Sequence, residues 1–262
     1  MRGLRAVWHL ARALLHALAG LATILFKFPR LSVEQQQAEV QAWAQRMLHV
    51  LGIGLQVRGA PPVRGPMLLV ANHISWLDIL VVHAARYCRF VSKADVKRWP
   101  LIGALATGAG TLYIERESRR DAMRVVHHMA ESLQAGDILA VFPEGTTSDG
   151  VDLLPFHANL IQAAIAARAP AQPVALEFVE SETGRNSISP CYIGDETLVT
   201  SLWRTLTGPA ITAVVSFGEP QQAEGRERRA WAAELRNAVV ELRRGGPHPS
   251  PLSERGGEKT RA

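Results

Sequence analysis

Met67-Leu-Leu-Val-Ala-Asn-His-Ile-Ser-Trp-Leu-Asp78 packs two kinds of structure into one short stretch. Residues 67 to 71 form a continuous apolar run preceded by Gly65-Pro66, the pattern of a strand covered on both faces. Asn72 and His73 then emerge at its C-terminal end. Ser75 followed by Asp78 reads as a capping box: the hydroxyl satisfies an orphan N–H, and the carboxylate reaches back to the cap residue. In one regular helix, His73 and Asp78 would sit about 140° apart around the axis and could not touch. A strand, a turn and a helix bring them together.

The same alternation continues outward from this stretch. Strands are expected at Leu55 to Arg58, Met67 to Ala71, Cys88 to Ser92, Thr111 to Ile114, Ile138 to Phe142, Pro173 to Phe178 and Ile211 to Phe217. Helices are expected at 76 to 86, 119 to 134, 158 to 168, 195 to 206 and 226 to 243, with 97 to 109 helical or irregular. Alternating strands and helices predict an α/β domain, a largely parallel central sheet flanked by helices, whose ligands gather beyond the C-terminal strand ends.

A histidine held by a carboxylate is a proton-transfer pair: the carboxylate fixes the tautomer, and the free ring nitrogen accepts a proton from a hydroxyl. The chain has no Gly-x-Ser-x-Gly elbow, so the hydroxyl that loses its proton can be a substrate's. Capping alone also explains Asp78, and the spacing by itself leaves both readings open.

The chain has 262 residues, 47% of them hydrophobic, and a net charge of +5. That excess is local, since Arg2, Arg5, Arg12, Lys27 and Arg30 fall in a segment without acids. Its charges flank apolar residues, which suits an anionic leaflet better than nucleic acid. Residues 6 to 26 are long enough to cross a bilayer, but His9, Arg12 and His16 interrupt them on one helical face. The helix therefore either lies in the interface with that face toward headgroups or inserts through its uncharged end, Ala17 to Phe26; a cleaved signal peptide is the remaining alternative. Phe28-Pro29 breaks it, and Ser32 with Gln35 predicts a capped second helix to about residue 51, striped by Val40, Trp43, Met47, Leu48 and Leu51. The expected organisation is a membrane-associated helical hairpin over 1–52, a catalytic domain over 53–244 and a disordered tail over 245–262. Cys88 and Cys191 lack metal-ligand or disulfide-framework spacing, so no metal site is expected. His83, His127 and His128 read as packing or solvated residues, and Glu115, Glu117, Arg119 and Arg120 as an ordinary charged face.

Three further polar clusters fall at expected strand ends. Phe142-Pro-Glu-Gly-Thr-Thr-Ser148 can present a carboxylate, a backbone N–H and a hydroxyl in one turn, Tyr113-Ile-Glu-Arg116 ends a strand with a guanidinium, and Gln172-Pro-Val174 begins another strand. Asn72-His73-x4-Asp78, then Arg116, then Phe142 to Thr146, then Pro173-Val174 closely resembles the four-block pattern of the lysophosphatidic acid acyltransferase family, over roughly residues 55 to 220. Lys93 to Pro100 is similar to the family's Lys-rich segment.

The resemblance implies that His73 is the general base and Asp78 its orienting carboxylate. The acceptor hydroxyl would attack a thioester carried by coenzyme A or acyl carrier protein, forming phosphatidic acid from lysophosphatidic acid without a cofactor. It further implies that Arg116 and Lys93 hold the acceptor's phosphate, that Asn72, Glu144, Gly145 and Thr146 line the substrate site, and that the chain sits on a membrane, at the cytoplasmic face of the inner membrane. A thioester is already activated, so one base, positioning and oxyanion stabilisation suffice. Two positions depart from the pattern. Thr147 stands where many members carry arginine, and Phe156-His-Ala-Asn159 replaces a Phe-Lys-x-Gly-like segment. Thr147 to Gly150 looks more like branches acting on other lyso-lipids, including lyso-ornithine lipid. A non-catalytic lipid-binding protein with the same fold is the other alternative.

Overall fold

The computed structural model describes residues 2–114 and 119–245. Arg116, the side chains of the charged-face residues Glu115, Glu117, Arg119 and Arg120, and the tail from 246 onward lie outside the described residues. Seven strands form one sheet: β1 (Gly54–Arg58), β2 (Met67–Ala71), β3 (Arg89–Lys93), β4 (Leu112–Ile114), β5 (Ile138–Val141), β6 (Ala171–Glu180) and β7 (Ile211–Phe217). Their order is β1-β7-β6-β2-β5-β3-β4, parallel at every pairing except β6 with β7. The sheet is therefore largely parallel, as expected. The C-terminal ends of β2, β5, β3 and β4 leave it along one edge.

The all-buried β2 shows why its sequence does not alternate. Met67, Leu69 and Ala71 enter one apolar core and Leu68 and Val70 the other, so both faces demand hydrophobic side chains. The first core is covered by α2 (Val33–Leu51) and α3 (Leu77–Ala85), the second by α5 (Arg119–Gln134), α6 (Ala158–Ala167) and α8 (Arg228–Arg243). Short α4 (Ile102–Gly108) and α7 (Leu198–Thr207) lie beside α1 (Arg2–Ala22).

The hairpin of α1 and α2 forms as its sequence predicts. Ser32 Oγ accepts from Gln35 N while Gln35 Oε1 accepts from Ser32 N at 2.9 Å, and Gly52 closes α2 in the left-handed region. Gly20 is required between the helices, because a Cβ there would lie 2.5 Å from Trp43 Nε1. The second helix belongs to the core: Leu48 and Leu51 are buried, and Gln41 and Gln45 donate to the last carbonyls of α3.

One expectation is reversed. The face carrying His9 and His16 points inward, where His9 Nδ1 meets Val50 O at 2.5 Å and His16 Nε2 meets Trp43 O at 3.1 Å. His16 also stacks on the Trp43 indole. Polar ring nitrogens find better partners at backbone carbonyls of α2 than at headgroups, and the face left outward is apolar: Leu4, Val7, Trp8, Leu14, Leu15 and Leu18 are exposed. Arg2–Arg30 is long and apolar enough to cross a membrane by length and composition.

Candidate active site

The turn after β2 carries the site. Asp78, wholly buried in the first turn of α3, accepts three hydrogen bonds on one oxygen: from His73 Nδ1 at 2.7 Å, Ile74 N at 2.6 Å and Ser75 N at 2.9 Å. Two backbone donors hold this oxygen in place at the start of the helix. Its second oxygen is buried without a hydrogen-bond partner among the described residues. The capping box is only half formed. Asp78 reaches back to Ser75 N as expected, but Ser75 Oγ accepts from Leu77 N at 3.2 Å and donates to Pro190 O at 2.6 Å. The hydroxyl thus serves Leu77 N and a tertiary carbonyl, and Asp78 N bonds Ser75 O instead.

Because Nδ1 faces Asp78, the imidazole presents Nε2 to the open side. Phe142, leaving β5, stacks on the ring with centroids 4.0 Å apart and planes 5° from parallel. Phe142 stacks in turn on Phe90, which meets buried His83 edge-on at 5.0 Å. The catalytic-looking imidazole thus has its tilt fixed by a ring and its rotation by a carboxylate. Sequence reading missed Phe142's part; its only signal was its place before Pro143-Glu144-Gly145.

Glu144 joins the two motifs. Oε1 accepts from His73 N at 2.7 Å and Oε2 from Leu154 N at 2.8 Å. Burial raises its pKa, and the two backbone N–H groups pull against that rise. Both oxygens are thus committed to main chain. Gly145 adopts φ +74°, and a Cβ there would approach the His157 ring at 3.2 Å, so the turn needs glycine on both counts. Thr146 is exposed beyond it, and Ser148 N returns to His73 O at 2.9 Å. Thr147 donates its hydroxyl to Tyr192 O.

Asn72 requires a correction. Expected at the substrate, it is 1% exposed, and its amide spans Leu176, donating to O at 3.0 Å and accepting from N at 2.8 Å. β2 ends at Ala71, opposite Val174, while β6 runs on to Glu180, so a side chain that mimics a peptide group extends the pairing and satisfies two buried backbone groups. Lys93 is exposed at the end of β3, in register with Ile114 of β4. Arg116 lies two positions past Ile114, outside the described residues. Segment 188–193 went unrecognised because it carries no motif. It borders the site nonetheless, as Tyr192 N donates to Ile74 O at 3.0 Å. Among the described residues, no three His, Cys, Asp or Glu side chains are grouped to hold a metal ion. Cys88 and Cys191 are free and buried, and His127 is exposed beside Glu131.

Comparison with known proteins agrees with this layout. The family model described as Acyltransferase matches residues 54–177. A 1-acyl-sn-glycerol-3-phosphate acyltransferase of Neisseria gonorrhoeae is 39% identical over 202 residues, covering 76% of this chain and 78% of that protein. A lyso-ornithine lipid O-acyltransferase of Pseudomonas aeruginosa is 39% identical over 197 residues, covering 75% of each. The crystal structure of the 1-acyl-sn-glycerophosphate acyltransferase of Thermotoga maritima superposes with a TM-score of 0.65 over 93% of this chain and 98% of that one, at 20% identity, and so shares the fold.

Proposed function

The chain belongs to the lysophosphatidic acid acyltransferase family, and from that premise we propose that it moves a fatty acyl group from a thioester to the free hydroxyl of lysophosphatidic acid, forming phosphatidic acid. The observation that carries the reading is the buried Asp78 holding His73 Nδ1 at 2.7 Å, with Nε2 unbonded among the described residues. In the proposed step Nε2 takes the acceptor's hydroxyl proton as its oxygen attacks the thioester carbonyl. Collapse of the tetrahedral adduct expels the thiolate, which recovers a proton from the imidazolium. Asp78 stabilises the cation between the two transfers. The donor is acyl-coenzyme A or acyl carrier protein, acting as co-substrate.

Lys93 and Arg116, following neighbouring parallel strands, are the proposed phosphate contacts, and Gly145 and Thr146 line the acceptor. Glu144 is a positioning residue, because its oxygens hold His73 N and Leu154 N. The apolar outward face of α1 supports attachment to a lipid surface, with Arg2, Arg5, Lys27 and Arg30 supplying attraction to anionic lipid. Placement at the cytoplasmic face of the inner membrane, where a soluble thioester would meet it, is part of the same proposal.

A second reading has its own support. Thr147 supplies no cation, its hydroxyl is bonded to Tyr192 O, and the Pseudomonas relative acts on lyso-ornithine lipid by name. A side-by-side kcat/KM comparison of lysophosphatidic acid and lyso-ornithine lipid with one donor separates the two. The first reading expects the phosphate-bearing lipid to win and Thr147→Arg to be tolerated. Preference for the phosphate-free lipid, shifted toward phosphate by Thr147→Arg, overturns it. In either case His73→Ala should lower turnover by roughly 10²–10⁴-fold in a folded protein.

A further inference from the structure

We propose that segment 188–193 together with α7 forms a second lipid-facing rim, continuous with the outward face of α1, at which the bilayer meets the catalytic turn. The inference rests on the acceptor being a membrane lipid. Val199 is 74% exposed, and Trp203 follows one turn later on the same face of α7. Ile188, 73% exposed, and Ile193 continue the apolar surface along the segment that leads into the helix. Exposed aliphatic side chains on a short helix next to a partly exposed tryptophan suit the boundary between headgroups and acyl chains.

Two features tie this surface to the site and to the membrane. First, α7 packs directly against α1, the helix whose outward face leaves Leu4, Val7 and Leu14 uncovered. Second, the segment is bonded to the catalytic turn itself. Ser75 Oγ donates to Pro190 O at 2.6 Å, Tyr192 N donates to Ile74 O at 3.0 Å, and Trp76 Nε1 donates to Ser201 Oγ at 3.1 Å. Arg204 fixes the segment from behind, donating to Ser189 O at 3.0 Å and pairing with Glu196 at 2.6 Å. A lipid surface resting on Val199 and Trp203 would therefore lie beside the residues that flank His73.

With Glu196 neutralised by Arg204 and Asp195 adding negative charge, the rim contributes burial and not attraction to anionic headgroups. This separates it from α1, whose basic residues respond to lipid charge. A second copy of the chain or a protein partner would cover the same face without lipid.

The test labels the full-length protein with an environment-sensitive fluorophore at Val199→Cys. Met123→Cys, exposed on the other face of the sheet, serves as reference, since native Cys88 and Cys191 are buried. Phosphatidylcholine vesicles with and without phosphatidylglycerol are added. The expected result is a blue-shifted, brighter label at 199, quenched by lipid-borne quenchers, with no change at 123. Val199→Ser with Trp203→Ser should lower activity on vesicle-borne lyso-lipid by tenfold or more, because burying one Val-sized side chain is worth about a decade. Activity on a water-soluble short-chain acceptor should be unchanged. A label at 199 that stays wet on vesicles, a double variant that loses both activities equally, or one whose only change is in oligomeric state overturns the proposal. The label reports without turnover. Failure of the lipid-acceptor reading would instead appear as wild-type protein that consumes no thioester with any lyso-lipid.

Discussion

Acidification should destabilise this enzyme through His83, and the size of the effect follows from its surroundings. The ring is buried on α3, edge-on to Phe90 and 5.9 Å from Tyr87, with Nδ1 lacking a hydrogen-bond partner among the described residues. Desolvation penalises the imidazolium and lowers the pKa from 6.5 to about 4. The native state thus refuses a proton that the unfolded chain binds, so stability is complete above 6.5 and is lost as pH falls from there toward 4. The full gap corresponds to roughly 3 kcal/mol, of which about 2 kcal/mol is already lost at pH 5. His83→Leu keeps an apolar side chain of similar size and has nothing to protonate. Denaturant melts followed by circular dichroism in detergent at pH 7.5 and pH 5 measure the difference. The wild type should lose about 2 kcal/mol more than the variant between the two values. Since His83, Phe90, Phe142 and His73 are successive ring neighbours, acid should also loosen the support under the catalytic imidazole. Equal pH dependence in both proteins would refute the reasoning.

Glu144→Gln should cost about 1.5–3 kcal/mol and reduce kcat more than it raises KM. An amide can accept only one of the two N–H groups, from His73 or Leu154, and turns a donor toward the other. Chemical melts and steady-state kinetics check both parts. Asn72→Ala should destabilise by about 2–4 kcal/mol by orphaning two buried groups of Leu176, while leaving KM for the acceptor near wild type in whatever fraction folds; a selective rise in KM would restore a substrate role. Leu14→Ser with Leu18→Ser on the outward face of α1 should weaken liposome flotation by at least about tenfold without lowering stability in detergent, since both side chains are exposed.

The sequence by itself determined the order and nature of the elements. Unbroken apolar runs such as 67 to 71 are demanded only by a sheet covered twice, and Ser32 with Gln35 and Phe28-Pro29 fixed the hairpin by local hydrogen bonding and steric exclusion. It also determined the His73–Asp78 contact, because a turn between strand and helix folds residues five apart together. What it could not determine were choices made between partners distant in the chain. His9 and His16 were polar either way, and only the nearby carbonyls of Val50 and Trp43 turned them inward and left α1's apolar face outside. Asn72 sits beside a catalytic-looking histidine in sequence, yet the edge of β6 claims its amide. Ser75 carried the signature of a cap for Asp78 N, yet its hydroxyl accepts from Leu77 N and donates to Pro190 O. A polar side chain bonds the best-placed unsatisfied group around it, and the spacing of residues along a chain says nothing of which group that will be.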